Sequence, residues 1–174
     1  MSGYPDHLDP ERHRDTKGRE HQPWIRRAVL TLFTAVAVLG LLDVFGQRSS
    51  TGRAATAAAT LEVRGPTTVR GGLLFQERIT VTARRDISTP RLVLSKGWAD
   101  GLQINTIEPQ PGSESTRDGR LVLSYDDLPA GQRLIVYVDY QVNPTHVGNT
   151  DMGLELDERT TPLVVLPRTL TTFP

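Results

Sequence analysis

An unbroken apolar run, Ala28 to Leu42, constrains this chain more than any other feature. It holds 15 residues without a charge, and nothing resembling it occurs elsewhere in the 174 residues. Counted through Phe45 the segment has 18 residues and a single acid, Asp43. As a helix rising about 1.5 Å per residue it reaches roughly 27 Å, close to the hydrocarbon thickness of a bilayer. Residues 24–46 are therefore predicted to form one transmembrane helix. Arg26 and Arg27 can snorkel at one end, and Trp24 suits the membrane interface. Asp43 lies near the other end, where a carboxylate reaches headgroups or water, or pairs inside a larger membrane complex.

Orientation follows from the basic flanks. Arg12, Arg14, Lys17, Arg19, Arg26 and Arg27 precede or open the helix, whereas Arg48 and Arg53 follow it. That bias places the N-terminus in the cytoplasm and everything after the helix outside. A cleaved signal peptide is the rival reading, with Ala55-Thr56-Ala57 as the small-residue cleavage site. The dozen residues between Leu42 and that site are long for such a peptide and favour an uncleaved anchor. Arg26-Arg27 also faintly resembles a twin-arginine signal, but Ile25 and Val29 depart from that pattern. All these readings export the C-terminal portion.

Residues 1–23 are polar, charged and nearly free of large apolar side chains. Such a stretch cannot offset its ordering entropy and is expected to be a disordered cytoplasmic tail. Three of the four His (His7, His13, His21) fall there, with no helical i, i+4 pair to hold a metal. Residues 47–60 are rich in Ser, Thr, Gly and Ala and are expected to be a flexible linker.

Residues 61–174 change character. Short segments alternate apolar and polar residues, and none sustains a helical period, which is the pattern of an all-β domain. The clearest strand is Arg133 to Val142, with Leu134, Val136, Val138, Tyr140 and Val142 on one face. Gly72–Arg84, Arg91–Ser95, Leu102–Ile107, Arg120–Tyr125, Gly153–Leu156 and Leu163–Leu166 follow, and Leu61–Val63 and Thr68–Arg70 open the domain. Gly65-Pro66, Gly71-Gly72, Thr89-Pro90, Asp118-Gly119 and Asn143-Pro144 mark turns. Asp118-Gly119 suits a two-residue hairpin, since both residues tolerate positive φ. Pro162 and Pro167 flank the last strand and place it at an edge or a bulge. Seven to nine strands in this length predict an immunoglobulin-like β-sandwich, large enough for a core without disulfides.

Asp127-Leu128-Pro129-Ala130-Gly131-Gln132, followed by the alternation Leu134, Val136, Val138, resembles a corner of bacterial cell-surface immunoglobulin-like repeats. There a Leu and a Gly precede a long alternating strand: the Leu plugs the end of the sandwich and the Gly turns the corner. The resemblance implies an extracytoplasmic adhesion, spacing or partner-binding module and brings no catalytic residues. A single domain on an N-terminal helix departs from the tandem arrays of that group.

Composition narrows the function classes. Twenty basic residues balance 20 acids, so the footprint of a nucleic-acid binder is missing. The absence of Cys removes disulfides, thiol nucleophiles and Cys-based metal sites. The skew toward Arg is compatible with a GC-rich bacterial genome. No cofactor is expected. His146 in the loop Asn143–Gly148 reads as ordinary polar surface, with no nucleophile-elbow motif to join it. Asp126-Asp127, Asp151, Glu155, Asp157 and Glu158 read as solvated acids, a calcium site between loops being the alternative. Arg84-Arg85 and Arg70 could touch anionic headgroups or wall polymers, although 12 basic against 14 acidic residues in 61–174 give no general basic patch. Trp98, in Ser95-Lys96-Gly97-Trp98-Ala99-Asp100-Gly101, has two readings. It is an exposed anchor for a partner together with Lys96 and Asp100, or it folds back over the core.

The sequence thus reads as a non-enzymatic, membrane-anchored binding or accessory module acting with an integral membrane or envelope partner. A structural spacer or a wall-polymer or glycan binder is the alternative, with an enzyme resting on His146 or an acidic loop cluster behind both.

Overall fold

A computed structural model describes residues 22–42 and 49–173. Most of the expected disordered tail, and Asp43, lie outside the described residues. The chain divides into two compact units, one ending at Phe45 and one running from Gly46.

The first unit contains α1 (Gln22–Leu41), 20 residues long. It is long and apolar enough to cross a membrane, a property that a signal sequence shares. The hydroxyl of Thr34 donates to the Leu30 carbonyl oxygen at 2.8 Å, so a polar side chain is satisfied within the helix itself.

The second unit holds β1 (Ser49–Ala55), β2 (Ala59–Pro66), β3 (Thr68–Arg70), β4 (Leu74–Ala83), β5 (Pro90–Leu94), β6 (Leu102–Glu108), β7 (Ser113–Arg117), β8 (Arg120–Ser124), β9 (Arg133–Val142), β10 (Gly148–Asp151), β11 (Leu154–Glu158), β12 (Thr161–Leu166) and β13 (Thr169–Phe173). A first antiparallel sheet has the order β1-β2-β4-β9-β6, and a second has the order β12-β11-β5-β8-β7. A smaller sheet, β10-β13-β3, contains the parallel pair β13·β3. The all-β, immunoglobulin-like layering read from the sequence is the observed architecture.

Alternation makes the core. Leu61, Val63, Ile79, Val81, Val136 and Val138 of the first sheet join one buried cluster with Leu92, Leu94, Leu123, Leu154, Leu156 and Val164 of the second. Strand β9 has the bounds expected for it, and its inward residues Val136, Val138, Tyr140 and Val142 are fully buried. Asp118 and Gly119 adopt φ of +54° and +75° between β7 and β8, where Arg117 pairs with Arg120. That is a two-residue hairpin whose twist matches its strands. Strand β12 lies at a sheet edge, and the register beside its Pro162 shifts. At the corner, Leu128 is buried in the core and bridges Ile87. Gly131 there donates its N–H to the Ala83 carbonyl at 2.9 Å.

Two expectations need correction. Among the described residues β2 to β13 give twelve strands in the domain where seven to nine were expected, and β1 precedes them. Strands β1, β7, β10 and β13 are rich in Ser, Thr, Asn and Gly and carry little apolar alternation, so only backbone pairing reveals them. The stretch expected to be a linker is largely strand. Ser49 to Ala55 pairs with Pro66 back to Thr60, and Thr56 closes the turn by accepting the N–H of Ala58 and Ala59. An edge strand needs no apolar face of its own, because ladder hydrogen bonds hold it.

Candidate functional site

Trp98 was the sharpest sequence candidate, and the structure corrects its exposed reading. A 3-10 turn, Lys96–Trp98, points the indole inward, and Trp98 is 0% exposed. Its ring meets Tyr140 edge-on, with centroids 5.9 Å apart. Gly97 makes this possible, since a Cβ there would lie 1.9 Å from the Asp151 carbonyl oxygen. Lys96 and Asp100 stay exposed on the outside of the turn. The three residues therefore do not form one contact surface. A large aromatic between glycines fits both an anchor and a plug, and only packing distinguishes them.

Beside Trp98 lies a polar group that sequence reasoning missed. Glu77 on β4 is 0% exposed and is paired with Arg168, which is also buried. Tyr140 donates its hydroxyl to Glu77 Oε1 at 3.3 Å, and Arg168 Nη2 donates to the Pro66 carbonyl at 3.4 Å. Burial pushes the Glu77 carboxyl up, and the Arg168 guanidinium pulls it back. Burial also raises Tyr140, reinforced by Glu77. One signal was present in the sequence: Glu77 is in phase with Phe75, Ile79 and Val81, so it had to face the core. Nothing in the sequence indicated Arg168, 91 positions away.

The three acids of β11 are paired. Arg117 meets Asp157 at 2.9 Å, and Arg120 meets Glu155 at 2.7 Å. Val93 and Val122, neighbours in the register and both buried, lie on the same side of that sheet as Glu155. Asp157 is raised by burial, opposed by Arg117, and its Oδ1 is buried without a partner. Arg85 grips Glu158 with both nitrogens, at 2.6 and 3.1 Å, and the Ser88 N–H donates to the same carboxylate. Glu158 is lowered to about 2, first by Arg85 and then by Ser88. Asp127 accepts the Thr89 N–H, and Asp151 accepts the Gly153 N–H. Glu155, Asp157 and Glu158 are therefore corrected from solvated acids to ion-paired ones, whereas Asp126, Asp127 and Asp151 stay exposed. Among the described residues no three His, Asp or Glu converge as a metal site. His146 is half-buried against Gly101 and hydrogen-bonded to the Thr150 hydroxyl at 2.6 Å.

The outer face of the first sheet is different. Register sets Glu62 beside Thr80 and Ile135, and Arg64 beside Arg78 and Tyr137. Ile135 and Tyr137 are exposed large side chains on this five-stranded face. Among the described residues, Glu62, Arg64 and Arg78 take part in no ion pair, and Arg78 Nε is buried without a hydrogen-bond partner. Aromatic and guanidinium groups mixed on an open sheet face can engage another macromolecule by stacking and charged hydrogen bonds. A shallow pocket of about 410 Å³, lined by Gly101, Leu102, Gln103 and Gln141, opens near one end of β6 and β9.

Three solved structures are similar at low identity. CaCohA2 from Clostridium acetobutylicum is 14% identical with a TM-score of 0.43, over 64% of this chain and 88% of that one. The CARDB domain of a Pyrococcus furiosus protein is 14% identical with a TM-score of 0.42, over 66% and 94%. A non-cellulosomal cohesin from Archaeoglobus fulgidus is 13% identical with a TM-score of 0.38, over 72% and 92%. No protein-family model and no curated protein matches the chain.

Proposed function

We propose that this chain is a membrane-anchored binding module, held by residues 24–46 with its N-terminus in the cytoplasm. Its sandwich lies outside and engages an integral membrane protein through a folded surface, without chemistry of its own. One observation carries this reading. From Pro23 to Leu42 every side chain of the helical segment is exposed, including Trp24, Ile25, Leu30, Leu32, Phe33 and Val36. A helix apolar on all sides is stable when lipid or protein surrounds it. Trp24 and Arg27 stack at its N-terminal end, 5.4 Å from cation to ring centroid, which suits the interface. Tethering then raises the effective concentration of the sandwich toward membrane neighbours. The open face around Tyr137 and Arg78 is the surface assigned to the partner.

The test is crosslinking in intact cells followed by affinity capture, with the native helix and with an unrelated apolar helix in its place. Intact mass of the captured chain establishes whether the anchor is retained. Enrichment of one integral membrane protein, lost on helix exchange and on Tyr137→Asp, supports the module. Capture of wall material alone, equal with both helices, replaces it by a polymer binder or spacer. A mature chain beginning after Ala57 removes the anchor altogether.

A further inference from the structure

The sandwich receives its chain at an apolar end. Ser49 pairs with Pro66, and Arg64 pairs with Arg78, so the first strand begins at the end of the first sheet where β4 starts and β9 finishes. Leu73 and Leu74 stand at that end, 45% and 67% exposed. The Gly72 N–H donates to the Val142 carbonyl at 2.8 Å, and the Gly71 N–H donates to Phe173 at 3.3 Å, which brings the close of β13 to the same place. Phe173 is 49% exposed and is register-paired with Arg70. Gly148 pairs with Thr172, so Val147, 57% exposed, arrives beside Phe173. Four large apolar side chains from three separate segments are thus gathered at one end of a soluble fold, where scattered exposure would be the ordinary case.

The charges at this end are one-sided. The segments 67–74, 143–149 and 169–173 contain Arg70 and His146 and no Asp or Glu. The neighbouring turn adds Lys96 and Asp100, one of each sign. Six residues separate Leu42 from Ser49, and an extended chain spans at most about 3.6 Å per residue. With α1 held in a bilayer as proposed above, a tether of six residues limits how far that end can stand from the headgroups.

We propose that this end of the sandwich is a lipid-facing surface: Leu73, Leu74, Val147 and Phe173 insert at the outer headgroup boundary, with Arg70 toward lipid phosphates. Apolar side chains flanked by a basic residue are what a bilayer interface accepts. The inference rests on the anchoring proposed above, and its test separates the two.

The chain has no Cys, so single-Cys variants carry one environment-sensitive fluorophore each. The full chain is reconstituted in phosphatidylcholine vesicles, with and without phosphatidylglycerol, and quenching by spin-labelled lipid is read. Labels at Val36→Cys in the helix, Val147→Cys at the apolar end and Ala130→Cys at the opposite end are compared. Quenching at Val36 and Val147 but not at Ala130 is expected. In the presence of Leu73→Asp and Leu74→Asp, the Val147 signal is expected to be lost while the Val36 signal persists. Quenching at Val36 alone overturns the lipid-facing end and leaves the anchor standing. Quenching unchanged by the two Asp substitutions also overturns it. Quenching at none of the three overturns the anchor and this inference together.

Discussion

At the residue scale the molecule is organised by buried groups with partners, and three outcomes follow. Trp98 fills the space against Tyr140 and is 0% exposed, so Trp98→Ala should cost about 3–5 kcal/mol of stability, read by urea unfolding. Its loss of partner capture should then follow the loss of fold. Glu77 and Arg168 are a buried pair, so Glu77→Gln leaves a guanidinium without its counter-charge and should cost roughly 3 kcal/mol. Joint replacement by Met at both positions should recover most of that loss, which distinguishes uncompensated charge from lost volume. Glu158 is held at about 2, below its ordinary 4.5, by Arg85 and the Ser88 N–H. Because its folded value is depressed, its contribution is present above about 4.5 and fades as pH falls toward 2. The stability difference between the native chain and Glu158→Gln should therefore be greatest near neutrality and vanish near pH 2. Arg85 is exposed and Glu158 half-buried, so solvent reaches the pair and high salt should also shrink it.

At the element scale, local signals and pairing divide the work. The β7–β8 hairpin was legible because Asp118-Gly119 demands a turn with positive φ. Ala at position 119 must hold φ near +75° with its Cβ about 3.2 Å from the Lys96 chain, so Gly119→Ala should lower stability by about 1 kcal/mol or more. Thermal unfolding checks this, and the change belongs to the turn and leaves strand content intact. Strand β1 is the opposite case. Its residues Ser49 to Ala55 read as linker because none needs burial, yet each is paired with β2. Without it β2, which carries Leu61 and Val63, would become the sheet edge.

At the scale of the whole molecule, the chain is an apolar helix followed by a sandwich that contains its own core. The sandwich draws its stability from its own buried β faces, and lipid is the source proposed above for the helix. Exchange of α1 for an unrelated apolar helix should therefore leave the melting temperature of the sandwich unchanged in scanning calorimetry while altering what is crosslinked in the membrane. A joint shift would mean that the two units share stabilising contacts. The division also explains why the face proposed to bind a partner was hard to read. A surface face has no periodicity of its own, and Ile135 and Tyr137 differ from core residues only by the parity of their positions on β9.

The sequence by itself determined the apolar helix, the all-β class, the long central strands, the hairpin at Asp118-Gly119 and the corner at Leu128. Each rests on a local property: an apolar run, a period of two, or a residue suited to one backbone conformation. Tertiary structure alone decided that Trp98 turns inward, that Glu77 finds Arg168, that Asp157 and Glu155 meet Arg117 and Arg120, and that Leu74, Val147 and Phe173 share one end. Those outcomes join residues far apart in the chain. The energy of such a contact depends on which strands become neighbours, and no local pattern of side chains encodes that.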